Sequence, residues 1–293
     1  MADILLSPLA EAHLSFRFIQ KDLTVTIIPT GIFMALAWTL NGLSLAEGAP
    51  LLFAGIGYFW LFIYTFCLSN QLVGQKEDQI NKPFRPLPSG LVTSEGTLNR
   101  YLIFTWIFVI YGTLLGLMPW TLLWVGITIL HNFTIAGKVW FLKSGLLMAL
   151  GVIAQLSAAW EMMGNGPSFE VQLWTIALAT WVGICTPVQD FRDVDGDRTA
   201  GRRTFPIVFA KHARAAMAII FVVMALALGV VWGLLAAWSF NPLQAIGLAL
   251  ILGINLWIAV RILVLRTAQK DDRTYTLYTL MYCLLLLGGF VIL

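Results

Sequence analysis

Residues 51–86 read LLFAGIGYFWLFIYTFCLSN and then, without a break, QLVGQKEDQINKPFRP. The first part, residues 51–70, carries no formal charge. A helix of that length crosses the hydrocarbon core of a bilayer and satisfies its own backbone polar groups there. The second part carries Lys76, Glu77, Asp78, Lys82 and Arg85. An apolar span therefore empties into a charged loop, and working outward from it the same unit recurs. Spans are expected near 23–44, 51–70, 99–117, 119–137, 144–163, 171–189, 213–238, 244–266 and 275–293. Gly and Pro punctuate the short connections, as at Gly48–Pro50, Gly164–Pro167 and Asn241–Pro242. Two connections, 70–98 and 190–212, are long and polar.

The composition agrees. Of 293 residues, 59% are hydrophobic and 11% charged, against about 25% charged in soluble domains. The expected architecture is all-α: nine transmembrane helices in a single membrane-embedded domain over residues 1–293, around a central cavity. Residues 1–21 mix Asp3, Glu11, Arg17 and Lys21 with short apolar stretches, unlike a cleavable signal peptide, and suit an amphipathic lead-in along the membrane surface. Cys67, Cys185 and Cys283 sit inside apolar runs without metal-ligand spacing and read as small hydrophobes.

The eighteen Lys and Arg residues all fall on the side from which odd-numbered spans start. Arg17 and Lys21 precede the first span, and Lys138 and Lys143 join the fourth to the fifth. The opposite connections have none. Cytoplasmic loops carry such an excess, so the N-terminus and both long loops are expected in the cytoplasm and the C-terminus on the opposite side. Neither a nucleic-acid nor a protein partner is expected; the bilayer is the partner.

The long loops carry the chemistry. The first runs from Asn70 through Glu77, Asp78, Asn81, Lys82 and Arg85. The second contains Asp190, Arg192, Asp193, Asp195, Asp197, Arg198, Arg202 and Arg203. If the helix continues past residue 189, Asp190, Asp193 and Asp197 share one face, as do Asn70 and Asp78, and Asp195 points away. Stacked carboxylates repel unless a cation lies between them, and hard oxygen ligands suit Mg²⁺ with substrate phosphates. Basic neighbours can bind phosphate oxygens. Such a site at the mouth of an apolar bundle fits a ligand with an anionic head and a greasy tail, the form of a polyprenyl diphosphate.

At these residues the chain resembles the UbiA superfamily of intramembrane prenyltransferases. Asn70, Asp78, Asn81, Pro83, Arg85, Pro86 and Gly90 match the family pattern NDxxDxxxDxxNxPxRPxxxG, and Asp190, Asp193, Gly196, Asp197 and Gly201 match KDxxDxxGDxxxG. The resemblance implies Mg²⁺ held by both motifs, a diphosphate leaving group and an allylic carbocation in an apolar cavity. Gln71 and Gly74 stand where the pattern has acids, and Gln189 replaces a lysine. The stretch after the fourth span is altered to His131–Lys138. In these departures the chain looks like the divergent UbiA-type terpene cyclases, in which the ionised prenyl chain closes on itself. The alternative is transfer of the prenyl group to an aromatic or lipid acceptor. A transporter is disfavoured, because its ionisable groups would lie near the bilayer midplane.

The expected catalytic residues are Asp78, Asp190, Asp193 and Asp197. The expected metal ligands are these four with Asn70 and Glu77, and the expected substrate-binding residues are Asn70, Lys82, Arg85, Lys138, Arg198 and Arg202. Aromatic rings stabilise cations and shape a flexible chain. Candidates for that wall are Tyr58, Phe59, Trp60, Phe62, Tyr64, Phe66, Trp106, Phe108, Trp124, Trp174 and Trp181. Tyr275, Tyr278 and Tyr282 are expected to pack, His131 to be a hydrogen-bonded structural residue with a base as its alternative role, and His13 and His212 to lie on the surface.

Overall fold

The computed structural model describes residues 7–164, 166–237 and 241–293. Among these the chain is helical, with one isolated bridge, Val139 to Arg203. A short helix α1 (Pro8–Ile19) leads into α2 (Ile27–Leu40) and α3 (Leu45–Val73). The first polar segment holds α4 (Gln75–Asn81), and α5 (Ser94–Leu114), α6 (Met118–Phe133), α7 (Leu147–Met162) and α8 (Phe169–Cys185) follow. The second polar segment holds α9 (Val194–Thr199) and α10 (Phe205–Phe209). Helices α11 (Ala213–Leu235), α12 (Pro242–Val264) and α13 (Ala268–Ile292) complete the series.

Among the described residues six helical stretches are long and apolar enough to cross a bilayer: α3, Phe141–Met162, Phe169–Phe191, Phe205–Leu235, α12 and α13. With α2 apolar but only 14 residues long, this is an integral multi-pass membrane protein. Helices α5 and α6 occupy the third and fourth expected spans without reaching that length and hydropathy. The first six residues of the lead-in and the end of the seventh span at residue 238 lie outside the described residues.

Neighbours in the chain pack on one another from α3 through α5, α6, α7, α8, α11 and α12 to α13, and α2 closes the ring by packing on both α13 and α3. Helix ends follow local chemistry. Ser44 and Glu47 form a capping box at the start of α3, and Asn241 and Gln244 do so at α12, satisfying amide groups that would otherwise be orphaned. Small residues allow close approach: a Cβ on Gly183 would lie 2.5 Å from the Gly145 carbonyl of the facing segment. The outward faces of α5, α11 and α12 present Trp106, Ile110, Leu226, Val230 and Trp257, as lipid contact requires.

The helix expected to run through Asp190 is interrupted. Pro187 lacks the N–H that α-helical continuation needs, so Thr186–Phe191 tightens into a 3₁₀ turn before α9 starts. The fourth span also stops early, because α6 ends at Phe133 and residues 135–138 wind as a 3₁₀ turn. A π-helical turn, Phe141–Leu146, then leads into α7; such turns recur at functional sites.

Candidate active site

The two polar segments meet. Helix α4 packs on α9, and Asn81 is the clasp: its Nδ2 donates to the Asp193 carbonyl (3.0 Å), and its Oδ1 accepts from Gly196 N (3.2 Å). Gly196 makes the approach possible, since a Cβ there would lie 2.3 Å from Asn81 Nδ2. Asp78 and the 190–197 cluster thus share one place, at one end of the helix ring.

Buried carboxylates and cations alternate around it. Arg85 donates to both Asp78 oxygens (3.0 and 2.8 Å) and to Asn70 Oδ1 (3.3 Å), joining the first-motif residues across the helix break at Gly74. Lys82 Nζ lies 2.8 Å from Asp193, reaching from one loop to the other. Arg202 also crosses between loops, 2.7 Å from Glu77 and 3.6 Å from Asp197. Lys143, on the π turn, lies 3.6 Å from Asp190 Oδ1. Burial pushes the carboxyls of Glu77 and Asp197 above their ordinary values, with Arg202 foremost in opposing it at Glu77 and Lys143 at Asp197. At Asp193 burial also pushes upward, but Lys82 and Arg192 together outweigh it and hold the carboxyl below its ordinary value.

Four buried carboxylate oxygens here make no hydrogen bond: Glu77 Oε2, which has the ion pair to Arg202, and three on the second segment. Asp190 Oδ2 and both Asp197 oxygens are buried with no hydrogen-bond donor, on side chains that are 1% and 0% exposed. An unsatisfied buried carboxylate is costly, and a hard divalent cation is the ligand that such oxygens fit. Among the described residues no three His, Cys, Asp or Glu side chains stand as a ready-made metal cluster. Asp78 and Asp193 are turned toward Arg85 and Lys82, and Glu77 toward Arg202.

Behind the charges lies a hollow of about 170 Å³. One wall is a stack: Phe62 lies on Trp124 with ring centroids 3.9 Å apart and planes within 7°, and Phe66 joins at 5.3 Å. Gly151 opposite leaves room for the indole, since a Cβ would meet Trp124 at 2.7 Å. The other wall is α13, with Tyr275, Tyr278 and Tyr282 at successive turns. A second hollow of about 280 Å³ adjoins the first and shares Asp22, Lys82, Arg85, Arg192, Asp193 and Tyr275 with it. Arg192 stands at this junction, its guanidinium 4.1 Å from the Tyr275 ring centroid and ion-paired to Asp272.

The structure brings together Asn70, Glu77, Asp78, Lys82, Arg85, Asp190, Asp193, Asp197 and Arg202. It does not bring Lys138 or Arg198 to them: both are exposed and line neither hollow. Asp195 is exposed too. Arg192, one of the basic neighbours that sequence reading offers for phosphate oxygens, and Lys143, which it places only between two spans, line the first hollow, as do Asp22 and Gln155. Gln155, an amide within an apolar run, is the kind of signal that marks function inside a membrane. Of the eleven candidate wall aromatics, Phe62, Phe66 and Trp124 line the hollow. Most of the others are engaged elsewhere, as Tyr58 with Thr121, Trp60 with Ser15 and Trp181 with Asn255, while Trp106 faces outward. The three tyrosines expected to pack do so, Tyr278 stacking on Trp181 with ring centroids 4.9 Å apart, and they line the hollow as well. Gln71 is buried and accepts from Leu87 N at 3.3 Å, so it fastens the loop. Gly74 faces Arg202 and Glu77, where a Cβ would lie 3.7 and 3.8 Å from them.

Comparison with known proteins agrees with this geometry. The chain is 35% identical over 279 residues to somaliensene A/B synthase of Streptomyces somaliensis, covering 94% of this chain and 91% of that one. It is 34% identical to diterpene cyclase eriG of Hericium erinaceus (96% and 89% covered) and 33% identical to polyprenyl transferase eriF of the same fungus (94% and 93%). The fold matches the structure of a UbiA homolog from Archaeoglobus fulgidus bound to DMAPP and Mg²⁺, with a TM-score of 0.67 at 15% identity over 95% of this chain and 98% of that one. The UbiA prenyltransferase family profile matches residues 26–286, and the chain belongs to that family.

Proposed function

We propose that this chain is a Mg²⁺-dependent terpene cyclase of the membrane, which ionises a prenyl diphosphate, closes the resulting allylic cation on itself and releases diphosphate. The observation that carries this reading is the convergence of the two acidic segments, with four buried carboxylate oxygens that make no hydrogen bond, at the mouth of an aromatic-walled hollow. The full-length likeness to a terpene synthase and a diterpene cyclase supports cyclisation. We further propose that the chain is a single domain with α2, α3, α5, α6, α7, α8, α11, α12 and α13 as nine spans, the acidic motifs in the cytoplasm and the C-terminus opposite.

Asp190 and Asp197, with Asp78, Asp193, Glu77 and Asn70 after exchange of their present partners, would hold the metal. Bound there, Mg²⁺ neutralises charge on the departing diphosphate. Lys82, Arg85, Lys143, Arg192 and Arg202 are the cations that line the hollow and face the same leaving group, where charge develops in a water-poor site. The ring faces of Phe62, Phe66 and Trp124 stabilise the cation left behind and hold the chain coiled. Trp124 is itself fixed, its indole N–H donating to the Phe62 carbonyl at 2.7 Å. Positioning of this kind turns a floppy chain into a reactive conformer.

Transfer to an acceptor is the second reading. It is favoured by the likeness to a polyprenyl transferase and by the adjoining hollow, which offers an acceptor a place beside Arg192 and Tyr275. Incubating purified protein with prenyl diphosphates of several lengths and no acceptor separates the two. A cyclic hydrocarbon or alcohol is expected, whereas no product until an aromatic or lipid acceptor is supplied would replace cyclisation with transfer.

A further inference from the structure

A cation that closes on itself must finally shed a proton, and the hydrogen bonds around the hollow determine which atom is free to take it. Two hydrogen-bond chains meet at Asn132. Arg85 has only donors, so the Asn70 atom 3.3 Å from it is the carbonyl oxygen, and the Asn70 amide group therefore faces Asn132 Oδ1, to which it donates at 3.2 Å. From the other side, Ser69 Oγ donates to the helix carbonyls of Thr65 and Phe66 (3.1 and 3.0 Å), leaving its oxygen to accept from Asn132 Nδ2 at 2.7 Å. Both ends turn Asn132 Oδ1 toward His131 Nδ1, 2.8 Å away. An amide oxygen donates nothing, so Nδ1 carries the hydrogen and Nε2 of the neutral ring keeps a lone pair.

That lone pair makes no hydrogen bond to a described residue. The ring lines the hollow, 5.0 Å from the Phe66 ring and beside Trp124. The two ring nitrogens are therefore not equivalent. Here one is committed to an anchor, and the other is left on the substrate side.

We infer that His131 Nε2 is the proton acceptor that ends the cyclisation, with Asn132 as its positioning residue. This rests on the cyclase reading above. The C–H bond beside the cationic carbon breaks, its electron pair becomes the product's new C=C bond, and the proton passes to Nε2. The imidazolium, within electrostatic reach of Lys143 and Arg202, returns the proton to the diphosphate, which leaves as hydrogen diphosphate. Atoms and charge balance with no co-reactant. Three other polar groups in the hollow are worse placed. The Tyr278 hydroxyl is tied to Thr186 and the Val182 carbonyl, and the Tyr282 hydroxyl, buried without a partner, is a far weaker base. The Gln155 amide donates to the Val25 and Thr26 carbonyls.

The test uses the full chain in detergent with a prenyl diphosphate and no acceptor, reading diphosphate release and product composition separately. In His131→Phe, which keeps a ring against Phe66, diphosphate release is expected to persist. The wild-type alkene should fall about 100-fold relative to total products, the low end for loss of a positioned base, with alcohols or other double-bond isomers in its place. Asn132→Leu should shift products the same way. Nitrogen-15 NMR of the histidine-labelled wild-type protein should show His131 with the hydrogen on Nδ1. An unchanged product profile in folded His131→Phe overturns the assignment, and so does a hydrogen on Nε2 in the wild-type spectrum, a measurement that needs no variant to fold. Wild-type protein yielding no acceptor-free product would overturn the cyclase reading and this one with it. A cyclising wild type with an unaltered His131→Phe overturns only the base.

Discussion

Asp190 and Asp197 pay the desolvation penalty of buried carboxylates without the hydrogen bonds that ordinarily offset it. Their replacement should therefore separate activity from stability. Asp197→Asn is expected to lower diphosphate release by about 10²–10³, the range for loss of one transition-state electrostatic contact. The metal-free thermal midpoint should stay level or rise, because a buried charge has gone; near-normal release would remove Asp197 from the metal role. Titration gives a second measure. Burial holds Glu77 and Asp197 above their ordinary values, so their stabilising contribution is complete below the unfolded-state pKa and lost as pH rises through the raised folded-state one. Asp193, held low by Lys82 and Arg192 against its burial, contributes in the opposite sense: its share is lost as pH falls through the depressed value. A divalent cation cancels the penalty on the first two, so the rise in Tm on adding Mg²⁺ should grow from the acid range toward neutrality. A rise independent of pH would contradict this account. At this scale sequence spacing groups the acids, but for a reason that the structure replaces. An unbroken helix is not what gathers Asp190, Asp193 and Asp197; the Pro187 break and the fold-back into α9 do so. Lys138 and Lys143 are five residues apart, and their opposite fates depend on a 3₁₀ turn and a π turn that no periodicity foretells.

Between elements, the clasp made by Asn81 holds α4 to α9 through two hydrogen bonds. Asn81→Ala removes both, at about 1 kcal/mol each, and should lower Tm modestly while impairing activity more, since Lys82 and Arg202 would lose their cross-loop register. Gly196→Ala should act in the same direction, because its Cβ would collide with Asn81. If both variants retain wild-type Tm and turnover, the clasp is dispensable. The long helices were legible as apolar runs: each expected span is occupied by a helix among the described residues. The docking of α1 was not. It depends on Glu11 accepting from Arg100 Nε and Nη2 at 2.8 and 3.0 Å, a pairing of residues 89 positions apart that no local pattern links.

For the whole molecule, the one-sided distribution of Lys and Arg gives an orientation that labelling can test. In a background with the buried Cys67, Cys185 and Cys283 replaced by Ala, a cysteine introduced by Lys76→Cys should react with a membrane-impermeant thiol reagent only from the cytoplasmic face. Gly166→Cys should react only from the other, and the reverse pattern would overturn the proposed orientation. The ring of helices has a consequence for biogenesis. Helix α13 packs on α2, at the opposite end of the sequence, and supplies the tyrosine wall. The ribosome delivers α13 after the other helices described here, so the chamber stays unsealed along one flank until α13 enters the bilayer. A nascent chain halted before residue 268 would carry every acidic group of the two motifs yet have no compartment in which a reactive isoprenoid could be kept from water.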